Sequence, residues 1–338
     1  MDSREIIMHC IEFTGPERIG YDFSFPHPSD MYSAGWGRGR TAVYEEEDPE
    51  IRRRVPDFAG QLYRDEYGNI WGRLTDRYDG EVVRGVLHDG WEGLNGYQMP
   101  AYGSPEEDRE IQARFAAHAD QYRIGSLPGF PFAIMRYMRR MDYFLMDLML
   151  HEKQVLRLNE MVVDMLLGLI ERFGAIGADG IMFCEDWGTQ DRLLVSPATW
   201  RRIFKPSFQV LVGRAHALGM HVIMHSCGYI LPIIEDLIEV GIDVLQLDQP
   251  TLLGVGRLAN EFGGRIAFYC PVDIQTVMQT GDRRVIEAEA RKLAGRLGGF
   301  DGGFIAKDYS QWEAIGIADE WAGWARDAFM GCSKPRGQ

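Results

Sequence analysis

Between residues 180 and 306 the chain repeats a single pattern: a short apolar run, then a longer segment whose apolar residues recur at helical spacing. The runs are Gly180–Phe183, Val222–Met224, Asp243–Leu247, Arg265–Tyr269 and Gly303–Ala306, with helices expected near 196–218, 231–240, 252–262 and 283–297. A run without polar alternation is what a strand covered on both faces requires, and strands alternating with helices pair in parallel. Ile19–Phe23, Tyr122–Ser126 and about one more strand upstream bring the count to eight. The expected fold is therefore α/β, a (β/α)8 TIM barrel with an irregular N-terminal embellishment, forming one barrel domain over residues 1–338.

Local signals agree with this frame. Ser104-Pro105-Glu106-Glu107 and Ser196-Pro197 each place a capping hydroxyl before a proline at the first helical position. Further helices are expected at 3–13, 133–150 and 152–173. Tyr63 to Val86 reads as a hairpin or small meander turning at Asp65–Gly68 and Asp79-Gly80. Residues 24–60, with Pro26, Pro28 and the acidic run Glu45–Asp48, read as irregular and solvated.

Composition narrows the function. A net charge of -14 argues against nucleic acid, whose phosphates need a basic surface. Five widely spaced cysteines, an odd number, make no disulfide framework. The opening MDSREIIMHCIEF lacks the apolar stretch of a signal peptide, and Asp164 breaks the longest apolar run. A cytoplasmic protein without a membrane partner is expected.

A barrel of this kind builds its site where the strands finish. Those positions carry Glu185 through Gln190, then His225 and Cys227, then Gln246 and Asp248, then Cys270, and finally Lys307-Asp308-Tyr309. His225 and Cys227 are two residues apart on a strand, so their side chains leave on the same face. An adjacent imidazole and thiolate make half of a zinc site, and Gly228 lets the backbone turn away at once. Cys270 would supply a third ligand from another strand. Glu185, Asp248 or water would complete the tetrahedron, and an open fourth position is the catalytic kind. Glu185, Asp248 and Lys307 are the expected catalytic groups, with Lys307 read as a Schiff-base lysine or as a salt-bridged or anion-binding one. Gln190, Gln246, Asp308 and Tyr309 are expected to position substrate. Cys184 reads as core, and Cys10 and Cys332 as bystanders.

The block GADGIMFCEDWGTQDRLLVSPATWRRIFKPSFQVLVGRAHALGMHVIMHSCGYILPIIEDLIEVGIDVLQLDQP, residues 177–250, resembles the uroporphyrinogen decarboxylase superfamily. Pro16-Glu17-Arg18-Ile19 and, more weakly, Trp321–Phe329 extend the likeness. It implies a barrel, often dimeric, with its site at the C-terminal mouth. The true decarboxylases hold substrate carboxylates on an N-terminal arginine-glutamine-alanine-glycine loop, whereas residues 20–40 here offer only Arg38 and Arg40. The branch of methylcobamide:coenzyme M methyltransferases carries a zinc motif, HxC plus a later Cys, which His225 and Cys227 match. That later Cys belongs to the last strand, where this chain reads GGFIAKDYS, and Cys270 lies one strand earlier.

The resemblance implies a zinc-dependent methyltransferase of a corrinoid-linked methyl-transfer or demethylation system. Zn2+ would hold the acceptor thiol as a thiolate, methylcobalamin or another corrinoid would ride on a partner protein, and the enzyme would be a homodimer acting on a small methyl donor or acceptor. The alternatives are a metal-free decarboxylase or lyase of a small carboxylated or tetrapyrrole-like substrate, and a non-catalytic binding protein on a retired barrel.

Overall fold

The computed structural model describes residues 1–36, 48–75, 80–309 and 312–332. Arg38, Arg40, Glu45–Glu47 and Asp79 lie outside the described residues. Eight parallel strands form the sheet of a TIM barrel: β1 (Gly20–Asp22), β2 (Met31–Ala34), β3 (Tyr122–Ser126), β4 (Gly180–Cys184), β5 (His221–His225), β6 (Val244–Gln246), β7 (Ala267–Cys270) and β8 (Phe304–Lys307). From β3 through β8 each strand pairs with its predecessor, and β8 returns to β1. The alternation seen in the sequence is thus the barrel wall. The reading of 24–60 as irregular misses β2, a four-residue strand with one exposed position and no apolar run to mark it.

The meander forms a separate antiparallel sheet of Gln61–Arg64, Ile70–Arg73 and Glu81–Arg84. Among the described residues, no helix is long and apolar enough to cross a membrane.

The pleat divides the strand side chains between two cores. Ile223, Val244, Ala267, Tyr269 and Ile305 face the barrel interior, where they pack with Tyr122 and Ile124. Val222, Met224, Leu245, Phe268, Cys270, Phe304 and Ala306 face the surrounding helices. Helix α1 (Ser3–Glu12) closes the N-terminal end of the barrel by sending Ile6, Ile7, Cys10 and Ile11 into the interior cluster. Its amphipathic spacing makes this possible, and its capping box of Asp2 and Glu5 starts it sharply.

The two ends of the sheet meet through Asp30, which is buried between β1 and β2. Its carboxylate accepts the Tyr21 N–H at 2.8 Å, the Ser3 hydroxyl at 2.6 Å and both Arg18 amino groups at 2.6 and 2.7 Å. The Asp30 N–H in turn donates to Tyr21 O at 2.7 Å. Replacing Asp30 by Ala strands a guanidinium and a backbone donor at this seam, so a loss of about 3–5 kcal/mol is expected. Ser3→Ala removes a single donor and should cost about 1 kcal/mol. Urea unfolding midpoints of the two variants would check the ranking, and equal midpoints would refute the seam role of Asp30.

Candidate metal centre and its mouth

β5 delivers His225 at its end, and two residues on Cys227 follows on the same face, as alternation requires. The His225 Nε2 lies 3.4 Å from Cys227 Sγ and 3.5 Å from Asp186 Oδ1. Potential ligand atoms of these three residues all fall within 4.8 Å of one another. A tetrahedral zinc with bonds of about 2.0–2.3 Å spaces its ligand atoms about 3.3–3.6 Å apart, so both measured edges suit one ion.

Two loops must be held together for this. Asp186 Oδ1 accepts the Cys227 N–H at 2.8 Å, and Tyr229 N–H donates to Thr189 O at 2.7 Å. Between them Gly188 and Gly228 touch backbone to backbone. A Cβ on Gly228 would stand 2.3 Å from Gly188 O, and the residue has φ +78°. Glycine is required here by close approach and by conformation alike.

A buried chain of polar groups runs behind His225. Lys307 Nζ lies 3.7 Å from Asp248 Oδ1 and 3.6 Å from the centre of the Tyr309 ring. Asp248 Oδ1 accepts the Gln246 amide N–H at 2.6 Å, which turns the amide oxygen toward His225 Nδ1 at 2.5 Å. An amide oxygen only accepts, so Nδ1 carries a proton and Nε2 is the position left to titrate or to ligate. Burial opposes charge on His225, but Asp186 and Cys227, with Cys184 and Asp248 farther off, hold its pKa well above the usual imidazole range. Burial likewise works against ionised Asp186. The hydrogen bond and charge of His225, the Cys227 N–H and Arg136 overcome it and bring Asp186 down to about 2.

Beside β4 opens a cavity of about 540 Å³, reached by Cys184 from the strand end and walled by the meander, residues 101–103 and the start of helix α2 (Pro131–Arg139). Cys184 is in register with His225, so cavity and polar cluster are neighbours across one strand pair.

Residues 115–307 match the uroporphyrinogen decarboxylase (URO-D) family model. The chain belongs to this family. Among solved structures, a methyltransferase from Methanosarcina mazei is similar over 98% of both chains at 14% identity, with a TM-score of 0.68. A D-psicose 3-epimerase from Clostridium cellulolyticum H10 is similar over 71% of this chain and 84% of its own, at 10% identity and a TM-score of 0.43. At 14% identity the likeness to the methyltransferase is one of fold. No curated protein matches the sequence.

Within this URO-D barrel several expected site residues sit elsewhere. Cys270 is fully buried and belongs to the layer between sheet and helices, one pleat position away from the inward-facing Tyr269. It does not join His225 and Cys227. Glu185 is also fully buried, away from the mouth, and its carboxylate accepts the N–H groups of Phe132 at 2.9 Å and Ala133 at 3.0 Å. It caps the N-terminus of α2 from 53 and 52 residues away in sequence, where the helix dipole offsets part of the cost of burying the acid. The next residue, Asp186, faces the site in its place. Alternation from the inward-packed Met182 points to residues 184 and 186, and that count would have found both Asp186 and the exposed Cys184, which reads as core from its position alone.

Asp308 binds the Ser24 N–H at 2.6 Å, the Ser24 hydroxyl at 2.7 Å and Arg326 at 2.8 Å, tying the loop after β1 to the last helix. Gln190 is exposed at the rim, with its amide 3.4 Å from Gln249. Gln246, Asp248, Lys307 and Tyr309 do converge, as the chain behind His225. Arg136, which the sequence reading left out, extends from α2 to 3.8 Å from Asp186.

Two predictions follow from this geometry. Gly228→Ala forces a left-handed residue against backbone atoms, so a loss of about 2–4 kcal/mol is expected in thermal unfolding. A variant as stable as the parent would refute the contact. For Glu185, burial outweighs its two N–H donors and lifts the carboxyl to about 8. The neutral form is favoured in the fold, so its contribution is complete below about pH 4.3 and is lost as pH rises through about 8. The stability advantage of the parent over Glu185→Gln should therefore shrink between pH 5 and pH 8. An advantage that grows over that range would show that the carboxylate is bound ionised.

Proposed function

We propose that this protein is a zinc-dependent methyltransferase of a corrinoid-linked methyl-transfer or demethylation system. The observation that carries the reading is the Asp186, His225 and Cys227 set: three protein ligands of mixed O, N and S type at the mouth of a URO-D barrel. Three ligands and an open fourth position are the catalytic form of a zinc site. A zinc ion held there would lower the pKa of a bound thiol, so that the acceptor is present as thiolate at neutral pH.

The protein's own residues do the rest. Gln246, oriented by Asp248, keeps the Nδ1 proton of His225 in place and presents Nε2 to the centre; partners of this type tune both ligand orientation and affinity. Asp186 holds the Cys227 backbone through its N–H and balances the charge of Arg136. Lys307 neutralises buried Asp248, which keeps the chain behind His225 polar without an uncompensated charge. In the transfer itself the thiolate sulfur supplies the electron pair of the new S–CH3 bond, and the donor leaves with the pair of the bond that breaks. The similarity to a methyltransferase barrel over nearly the whole chain supports the reading, and a corrinoid on a separate protein and a homodimeric assembly are part of the proposal.

Elemental analysis of protein purified without added metal or chelator should find about one zinc per chain. His225→Ala and Cys227→Ser should lose it, Cys270→Ser should keep it, and Gln246→Ala should weaken it about 10–100-fold. A folded parent without zinc would overturn the proposal. Loss of zinc in Cys270→Ser would restore the ligand set expected from the sequence.

A further inference from the structure

Among the described residues, six aromatic side chains line the cavity beside Cys184: Trp36, Tyr63, Tyr67, Trp71, Tyr102 and Tyr137. They arrive from the segment just after β2, the meander, the loop before the 105–117 helix and α2, so the tertiary fold alone assembles them. Several are in mutual ring contact, with Tyr63 and Trp71 stacked at 6.0 Å, Trp71 and Tyr137 tilted at 4.7 Å, and Tyr67 and Tyr102 tilted at 6.2 Å. Among the described residues, the charged groups of the lining are three carboxylates, Asp65, Glu66 and Glu107, and one guanidinium, Arg64.

Each carboxylate is placed by the fold. Asp65 accepts from Tyr67 N, Asn69 N, Asn69 Nδ2 and Trp71 Nε1, which fixes the hairpin turn and one indole. Glu66 accepts the Tyr102 hydroxyl at 2.7 Å, and Glu107 closes the capping box of Ser104. The Tyr67 hydroxyl, buried in the wall, lies near that of Tyr102 without a hydrogen bond of ordinary geometry. Among the described residues, Trp36 and Tyr137 each carry a cation on one face. Arg172 stacks on Trp36 at 4.2 Å while paired with Asp108, and Arg136 stacks on Tyr137 at 4.7 Å while reaching Asp186.

Electron-rich ring faces with carboxylates at the edge attract a large, weakly hydrated cation, whose methyl groups pack on the rings while its charge is met by the quadrupoles and the acids. We infer that this cavity binds a quaternary or fully methylated ammonium compound. As the methyl-bearing substrate such a ligand rests on the methyl-transfer reading above; as a ligand it does not. In the substrate role the nitrogen keeps the pair of the C–N bond and leaves as a neutral amine, and the methyl acceptor of the corrinoid-linked system supplies the pair of the new bond to CH3, with no change of oxidation state beyond the transfer.

The test is a titration of intrinsic tryptophan fluorescence with choline, tetramethylammonium and 3,3-dimethylbutan-1-ol, the uncharged carbon isostere of choline. Choline should bind at least about tenfold more tightly than the isostere. Tyr137→Phe should keep that preference, and Tyr137→Leu should reduce choline affinity about tenfold. Glu66→Gln, which retains an acceptor for Tyr102, should weaken choline several-fold and leave the isostere unchanged. Equal affinities for choline and the isostere, or saturable binding of a neutral aryl methyl ether such as anisole in preference to choline, would overturn the inference, as would no saturable binding at all. Cation binding without methyl transfer to a thiol would overturn the functional proposal alone. Methyl transfer from another donor, with no cation binding, would overturn this inference alone.

Discussion

A closed sheet of parallel strands has only two destinations for a side chain, the barrel interior or the helical layer, and a strand cannot change its assignment without moving all its neighbours. Everything at the mouth of this protein depends on that constraint. His225, Gln246 and Lys307 stand on inward positions of β5, β6 and β8, above Ile223, Val244 and Ile305. Cys270 and Glu185 stand one residue out of phase. Their burial in the outer layer follows from the same pleat that brings Asp186 and Cys184 to the mouth.

The polar interior is affordable because it is linked end to end. Lys307 offsets Asp248, Asp248 orients Gln246, and Gln246 fixes the tautomer of His225. An isolated carboxylate or imidazole at this depth would give up its charge, since burial opposes the ionised form of both. Here the partners reverse the balance, holding Asp248 below and His225 above their ordinary ranges. The chain presents one nitrogen, one sulfur and one carboxylate at a single point.

Helix α2 connects this centre to the adjoining cavity. Its first N–H groups rest on Glu185, its residues Ala133, Ile134 and Tyr137 line the cavity, and its Arg136 approaches Asp186. The strand that supplies Asp186 thus also anchors the wall facing it. Displacing Glu185 would move cavity and centre together, which gives this fully buried acid a positioning role.

The fold class was legible in the sequence because strands buried on both faces must be apolar, and because caps such as Ser104 and Ser196 act within one helical turn. The pairing of His225 with Cys227 was legible for the same reason, since alternation over two residues is local. β2 was not legible, because a four-residue strand gains its pairing only from β3, which lies some ninety residues on by the numbering. The third member of the His225–Cys227 cluster was not legible either. Which of Glu185 and Asp186 faces inward depends on where β4 enters the pleat, and Cys270 is placed by the register of β7 against β6 and β8. The aromatic cavity lies furthest from the sequence, for its rings come from four separate segments. Composition and local periodicity determined a parallel barrel with chemistry at its strand ends. The tertiary structure decided which side chains meet there, because direction across a pleat is set by pairing with strands that are distant in the chain.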